Sequence, residues 1–158
     1  MLTIGDTAPL FCLPSSDGTE FCLQNLRNSF VVIYFYPKDS TPGCTTEACD
    51  FSTSLAHFVE NGACVLGISP DSMQSHQKFI NKHALTISLL CDVDHSVALQ
   101  YGAWGEKKMY GKVYEGILRS TFLIDPQGKI AFVWYKVKVK DHVKAVLDKL
   151  VAIRSNLA

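Results

Sequence analysis

The run Phe30-Val31-Val32-Ile33-Tyr34-Phe35-Tyr36 constrains this chain more than any other segment. β-Branched and aromatic residues fit an extended, pleated backbone, and the absence of polar alternation requires both faces of the strand to be buried. The run is far shorter than the ~20 residues that span a bilayer as a helix, and Pro37 ends it. A strand covered on both sides obliges the rest of the chain to supply a layer above and a layer below. The next segments fit that demand. After the loop Lys38–Gly43, apolar residues at Ala48, Phe51, Leu55, Phe58 and Val59 recur at the spacing of one helical face, which predicts a helix over about 44–62. Cys64–Ser69 reads as a second buried strand, and Asp71 or Ser72 is placed to cap a helix reaching His83-Ala84. Strand, helix, strand, helix implies parallel strands joined by crossovers.

Ahead of this core, Leu10–Leu23 holds two short apolar runs around Asp17-Gly18, the signal of a β-hairpin. Beyond it, Ile87–Cys91 reads as a strand and Ser96–Tyr101 as a short helix. An irregular stretch containing Gly102, Gly105 and Gly111 comes next. Gly116–Ile124 and Lys129–Val137 flank the turn Asp125-Pro126-Gln127-Gly128 as an antiparallel pair, and Asp141–Ile153 closes as an amphipathic helix. Lys136, Lys138 and Lys140 alternate along the end of the last strand and read as charged protection of a sheet edge. With no repeat or linker, one α/β domain over 1–158 is expected.

Charge and composition then narrow the function. Fifteen Lys and Arg balance fifteen Asp and Glu, so the chain lacks the positive excess that nucleic-acid and polybasic membrane binders need. Met1–Asp6 has no basic region, long apolar stretch or cleavage site, and a cytoplasmic protein with no membrane partner is expected. The six cysteines do not suggest a disulfide scaffold, because the apolar core is ample and most thiols should be reduced. There is no Cys-x-x-Cys pair, Walker loop or Gly-x-Gly-x-x-Gly turn, so neither a metal nor an organic cofactor is expected. Cys12 and Cys22 sit at similar places on the two hairpin strands, which leaves a disulfide geometrically open, although buried apolar packing is the preferred reading. Cys64 begins a buried strand, and Cys91 with His95 has a ligand-like spacing but no third partner nearby.

The segment Tyr36–Cys49 carries the chemistry. Cys44 falls in the first turn of the expected helix, where unpaired N–H groups and the helix dipole favour an anion such as a thiolate. An ordinary cysteine is only a few per cent ionised at pH 7, whereas one whose pKa is lowered to about 6 is roughly 90% thiolate. Apolar packing is the competing reading for Cys44. The Thr41 hydroxyl three residues earlier, and Pro37 and Pro42 bracketing the loop, tip the balance toward a nucleophile.

Pro37-x-x-x-Thr41-x-x-Cys44 resembles the active-site motif of the peroxiredoxins, and its surroundings are similar to the bacterioferritin comigratory protein, or peroxiredoxin Q, subfamily. The likeness extends through Gly5-Asp6-x-Ala8-Pro9, Tyr34–Pro37, Val65–Ser69, Tyr101-Gly102-x-Trp104-Gly105-Glu106-Lys107 and Gly116-Ile117-x-Arg119–Asp125. It implies a thioredoxin-like fold, with a central mixed β-sheet flanked by helices and an N-terminal β-hairpin. It also implies a thiol peroxidase that reduces hydrogen peroxide or an alkyl hydroperoxide. Cys44 would be the peroxidatic cysteine, passing through a sulfenic acid, and Cys49 the resolving cysteine that closes an intramolecular disulfide. Thr41 would hydrogen-bond the thiolate and orient the substrate oxygen, and Arg119 would stabilise charge on sulfur and on the peroxide oxygens. Pro37 would shield the pocket, the Gly43 and Cys44 N–H groups would add fixed dipoles, and Glu47 would play a supporting part. Without the cysteine loop, Arg119 would read as a solvent-facing strand residue. The implied reductant is thioredoxin, or another dithiol protein such as glutaredoxin, and the implied state is a monomer. A peroxide-sensing switch that acts through partner binding is the alternative.

Overall fold

The computed structural model describes residues 1–26 and 28–156. The run Phe30–Phe35 forms β3, and all six of its residues are buried. It lies at the centre of a five-stranded sheet with strand order β5-β4-β3-β8-β9, where β4 is Ala63–Ser69, β5 Ser88–Cys91, β8 Ser120–Ile124 and β9 Ile130–Trp134. β3, β4 and β5 run parallel, while β8 and β9 run antiparallel to their neighbours. The period of two along β3 divides the core between the two sheet faces. Phe30, Val32, Tyr34 and Tyr36 pack against helix α1 (Pro42–Glu60), Phe79 of α2 (Met73–His83) and Val143, Val146 and Leu150 of α4 (His142–Asn156). Val31, Ile33 and Phe35 pack on the opposite side with Leu13, Tyr101, Phe122 and α3 (Ser96–Gln100). This is the thioredoxin-like architecture, with the hairpin β1 (Cys12–Pro14) and β2 (Glu20–Cys22) ahead of it.

Several sequence expectations are revised. Cys12 and Cys22 are directly opposed in the hairpin register and form a disulfide, so the packing reading gives way; Cys12 faces solvent and has no apolar wall to pack on. The stretch read as irregular after Tyr101 contains a second hairpin, β6 (Trp104–Met109) with β7 (Lys112–Ile117). Its strands are largely polar and exposed, so hydrophobic alternation gives no signal, and its turn is set by Tyr110 and Gly111, both at positive φ. The strand expected over Gly116–Ile124 is two strands in different sheets, broken at Leu118-Arg119. Lys136, Lys138 and Lys140 lie past the end of β9 and protect no ladder. Ser72, rather than Asp71, caps α2 by accepting the Ser75 N–H.

Candidate active site

The carboxyl end of β3 delivers the chain into a loop that ends at Thr41, the extended N-cap of α1. Pro42 opens the helix, a position where its missing N–H costs nothing, and Cys44 comes two residues later in the first turn. Cys44 is a free thiol, 1% exposed, among Tyr34, Tyr36, Ala48 and Phe51.

Arg119 arrives from the other side of the sheet. Phe35 pairs with Ser120, so the residue before Ser120 lies level with the start of the active-site loop. The chain changes sheets at this point, which releases Arg119 from both ladders while its carbonyl accepts the Val137 N–H. Its Nη2 donates to Cys44 Sγ at 3.2 Å and its Nη1 to Glu47 Oε1 at 2.6 Å. A Cβ on Gly43 would stand 3.4 Å from Nη2, so the glycine leaves room for the guanidinium at the helix start. Burial opposes the Arg119 charge, but Glu47 and Cys44 outweigh it and hold the guanidinium above its ordinary pKa. The solvent-face reading of this arginine is excluded, since the side chain is only 17% exposed.

Glu47 lies three residues after Cys44 on the same helix face and is 0% exposed. Burial pushes its carboxyl pKa up to about 7, although Arg119 pulls the other way. Desolvation prevails because Oε2 has no hydrogen-bond partner and Arg119 is shared with the sulfur. The Tyr34 hydroxyl, also buried and unpartnered, is pushed well above the usual phenol range by burial, then by Glu47 and Cys44. His142 is held neutral, its pKa lowered to about 4 by burial and then by Arg119, and its Nε2 meets Thr121 Oγ1 at 2.8 Å. Lys107 of β6 also senses the site: burial and Arg119 hold its ammonium below the ordinary lysine range, and Cys44 opposes them.

Of the residues singled out in the sequence, Cys44, Arg119, Glu47 and Gly43 converge. Pro37, half-buried, leads out of β3 into the loop. Thr41 departs from expectation, because its Oγ1 donates to the Lys38 carbonyl at 2.8 Å instead of to the sulfur. Cys49 shares α1 with Cys44 as a half-buried free thiol. Over five residues, a regular helix separates two side chains by a rise of ~7.5 Å and a turn of ~140°, beyond disulfide reach. Cys64 and Cys91 are free thiols held protonated: burial pushes Cys64 up to about 11, and burial with Asp39 and Asp71 raises Cys91. Tyr34 and His142 escaped sequence reasoning. Tyr34 could have been flagged as the residue two before Tyr36 on the helix-facing side of the strand, whereas nothing local marks His142.

The fold is thioredoxin-like, and the site sets a free, buried thiol at a helix start against an arginine, the arrangement of a thiol peroxidase of the peroxiredoxin class. Comparison with known proteins agrees. The family model described as AhpC/TSA matches residues 4–133, and the chain belongs to that family. It is 48% identical to peroxiredoxin Bcp of Bacillus subtilis over 149 residues, covering 94% of this chain and 95% of that protein. Against peroxiredoxin Bcp of Escherichia coli it is 44% identical over 149 residues, covering 94% and 96%. Among solved structures, Xanthomonas campestris peroxiredoxin Q superposes with a TM-score of 0.87 at 45% identity, covering 91% of each chain. A cysteine-to-serine mutant of Xylella fastidiosa PrxQ gives 0.91 at 40% identity, covering 96% of this chain and 97% of that one.

Proposed function

We propose that this single-domain protein reduces hydrogen peroxide and alkyl hydroperoxides through Cys44 and Cys49, with thioredoxin, or glutaredoxin in its place, as reductant. The observation that carries the reading is the 3.2 Å contact between Arg119 Nη2 and Cys44 Sγ at the start of a helix. A permanently charged, forked donor and the free N–H groups of the first turn both favour sulfur as an anion and oppose its escape as a neutral thiol. The Cys44 thiolate attacks the terminal oxygen of ROOH. The O–O bond breaks, sulfur becomes a sulfenic acid, and the alkoxide takes a proton from water to leave as ROH. Arg119 and the Gly43 and Cys44 N–H groups lie where charge spreads over the two oxygens during that step. Thr41, whose hydrogen is committed to Lys38, retains lone pairs to accept the hydroperoxide O–H and so orient it. Pro37 limits water at the loop.

Resolution occurs when the Cys49 thiol displaces water from the sulfenic acid to form the disulfide. Because the intact helix keeps these sulfurs apart, the first turns of α1 open before the bond can close. A dithiol protein then attacks the exposed disulfide and returns both thiols. A second protomer is not needed for the cycle, and a monomer is the proposed state. A cytoplasmic location is proposed; no helix among the described residues is long and apolar enough to cross a membrane. The test is peroxide consumption with thioredoxin and its reductase present in excess. Sustained turnover that disappears in Cys44→Ser supports the enzyme. A single stoichiometric oxidation without turnover overturns it in favour of a sensing switch.

A further inference from the structure

A second buried polar cluster lies behind the active-site loop, and the reaction above makes no use of it. His76 of α2 is 0% exposed. Its Nδ1 meets Asp39 Oδ2 at 2.7 Å and its Nε2 meets the Leu90 carbonyl at 3.0 Å. A carbonyl oxygen can only accept, so Nε2 carries a hydrogen. Asp39 also accepts the Tyr36 hydroxyl at 2.6 Å on Oδ1 and the Ser75 hydroxyl at 2.8 Å on Oδ2. Asp39 is thereby tied at once to β3 through Tyr36 and to α2 through Ser75 and His76. The backbone N–H of Asp39 is fixed too, donating to Asp71 Oδ2 at 2.8 Å, an oxygen that also accepts from Ser69 Oγ at 2.7 Å. Asp39, Asp71 and His76 bring ligand atoms within 4.8 Å of one another, but these atoms are committed to this network, so the cluster is a clamp and not a cation site.

We infer that His76 and Asp39 are positioning residues for the peroxide reaction, a buried hydrogen-bonded clamp that fixes the Pro37–Thr41 loop and thereby seats Cys44 under Arg119. This inference rests on the proposed role of Cys44. Its physical basis is the residue next after the clamp. Ser40 has φ +65°, a left-handed conformation that a non-glycine residue keeps only where its surroundings impose it. Asp39, gripped at both its backbone and its side chain, imposes it from one side. On the other side the chain passes through extended Thr41 directly into Pro42 and α1. Between Asp39 and Cys44 the Thr41 side chain bonds only backward, to Lys38. Releasing the clamp lets Ser40 relax and swings the helix entry, which moves the sulfur relative to the guanidinium. The clamp also marks a boundary: when the first turns of α1 open for resolution, the chain up to Asp39 stays in place.

The test uses the full chain, reduced, as wild type, Asp39→Asn and His76→Gln. Two rates are measured in single turnovers: Cys44 oxidation by hydrogen peroxide, and subsequent closure of the disulfide with Cys49. Misplacing a reacting atom by about an ångström costs up to ~100-fold, so oxidation should slow by about tenfold or more in both variants. Disulfide closure, which needs the helix opened anyway, should stay within about twofold of wild type. A general loss of structure would slow both rates, whereas loss of positioning slows only the first. Variants that stay folded by near-ultraviolet circular dichroism yet oxidise within about twofold of wild type overturn the inference. Should a variant fail to fold, Ser75→Ala, which removes one hydroxyl donor to Asp39, decides by the same two rates. Slowed oxidation with unchanged disulfide closure upholds the clamp, and oxidation at the wild-type rate refutes it. If wild-type Cys44 itself fails to react with peroxide, the proposed function fails, not the clamp.

Discussion

Replacing Glu47 by Gln tests the balance of forces around Arg119 and Cys44. The amide keeps the shape of the side chain and an oxygen for Arg119 Nη1, but it cannot ionise. In wild type, burial raises the carboxyl pKa from 4.5 to about 7 against the pull of Arg119. The folded state therefore binds this proton more tightly than the unfolded chain does. Stability from Glu47 is fully present below about pH 4.5 and is lost as pH rises through about 7. At about 1.4 kcal/mol per pH unit, the loss across that interval amounts to roughly 3 kcal/mol. Denaturant unfolding of wild type and Glu47→Gln at pH about 4.5, 6 and 8, in one common redox state, isolates the effect, because groups remote from Glu47 cancel in the difference and Arg119 and Tyr34, which sense it, titrate above this range. The advantage of wild type over the variant should shrink by about 3 kcal/mol from the lowest pH to the highest. A flat difference would mean that the carboxyl has no raised proton affinity. An advantage that grows with pH would mean that the 2.6 Å pair with Arg119 outweighs desolvation and keeps Glu47 ionised.

Arg119→Ala removes a charged hydrogen bond of roughly 2–3 kcal/mol from the sulfur, so peroxide attack should slow by roughly 30- to 150-fold in stopped-flow oxidation. His142, with its pKa lowered to about 4, has the opposite sign to Glu47: its stabilisation is present above about pH 6.5 and is lost as pH falls toward 4. His142→Gln should therefore resist acid between those values better than wild type, relative to its own stability at pH 7, in thermal melts. Cys49→Ser should accept one equivalent of peroxide and then stall as a sulfenic acid, detected by dimedone labelling; turnover with thioredoxin at the wild-type rate would assign resolution to another thiol.

Those features of the fold that rest on apolar periodicity were legible in the sequence. The unbroken Phe30–Tyr36 run required a two-sided central strand, and the spacing from Ala48 to Phe58 marked the buried face of α1. The same phase carries Cys44 and Glu47 inward, so the burial of that glutamate was implicit in the helix, although its proton affinity depends on Arg119, distant in sequence. The meeting of Arg119 with Cys44 was expected only through family resemblance, because the strand break at Leu118-Arg119 that frees the arginine has no local signal. The hairpin Trp104–Ile117 is polar on its outer strands and gave periodicity nothing to detect. The Cys12–Cys22 bridge depended on hairpin register, which a difference of one residue in the turn would have changed. The Asp39–His76 pair joins a loop to a helix in a different crossover, a relation that only tertiary structure creates.

Peptide mapping by mass spectrometry after addition of one equivalent of hydrogen peroxide to the reduced protein tests the central claim most directly. The Cys44 and Cys49 thiols should be lost together, with a single new bond between their peptides and with Cys64 and Cys91 left free. Oxidation of Cys64 or Cys91 while Cys44 remains a thiol would contradict the proposed chemistry.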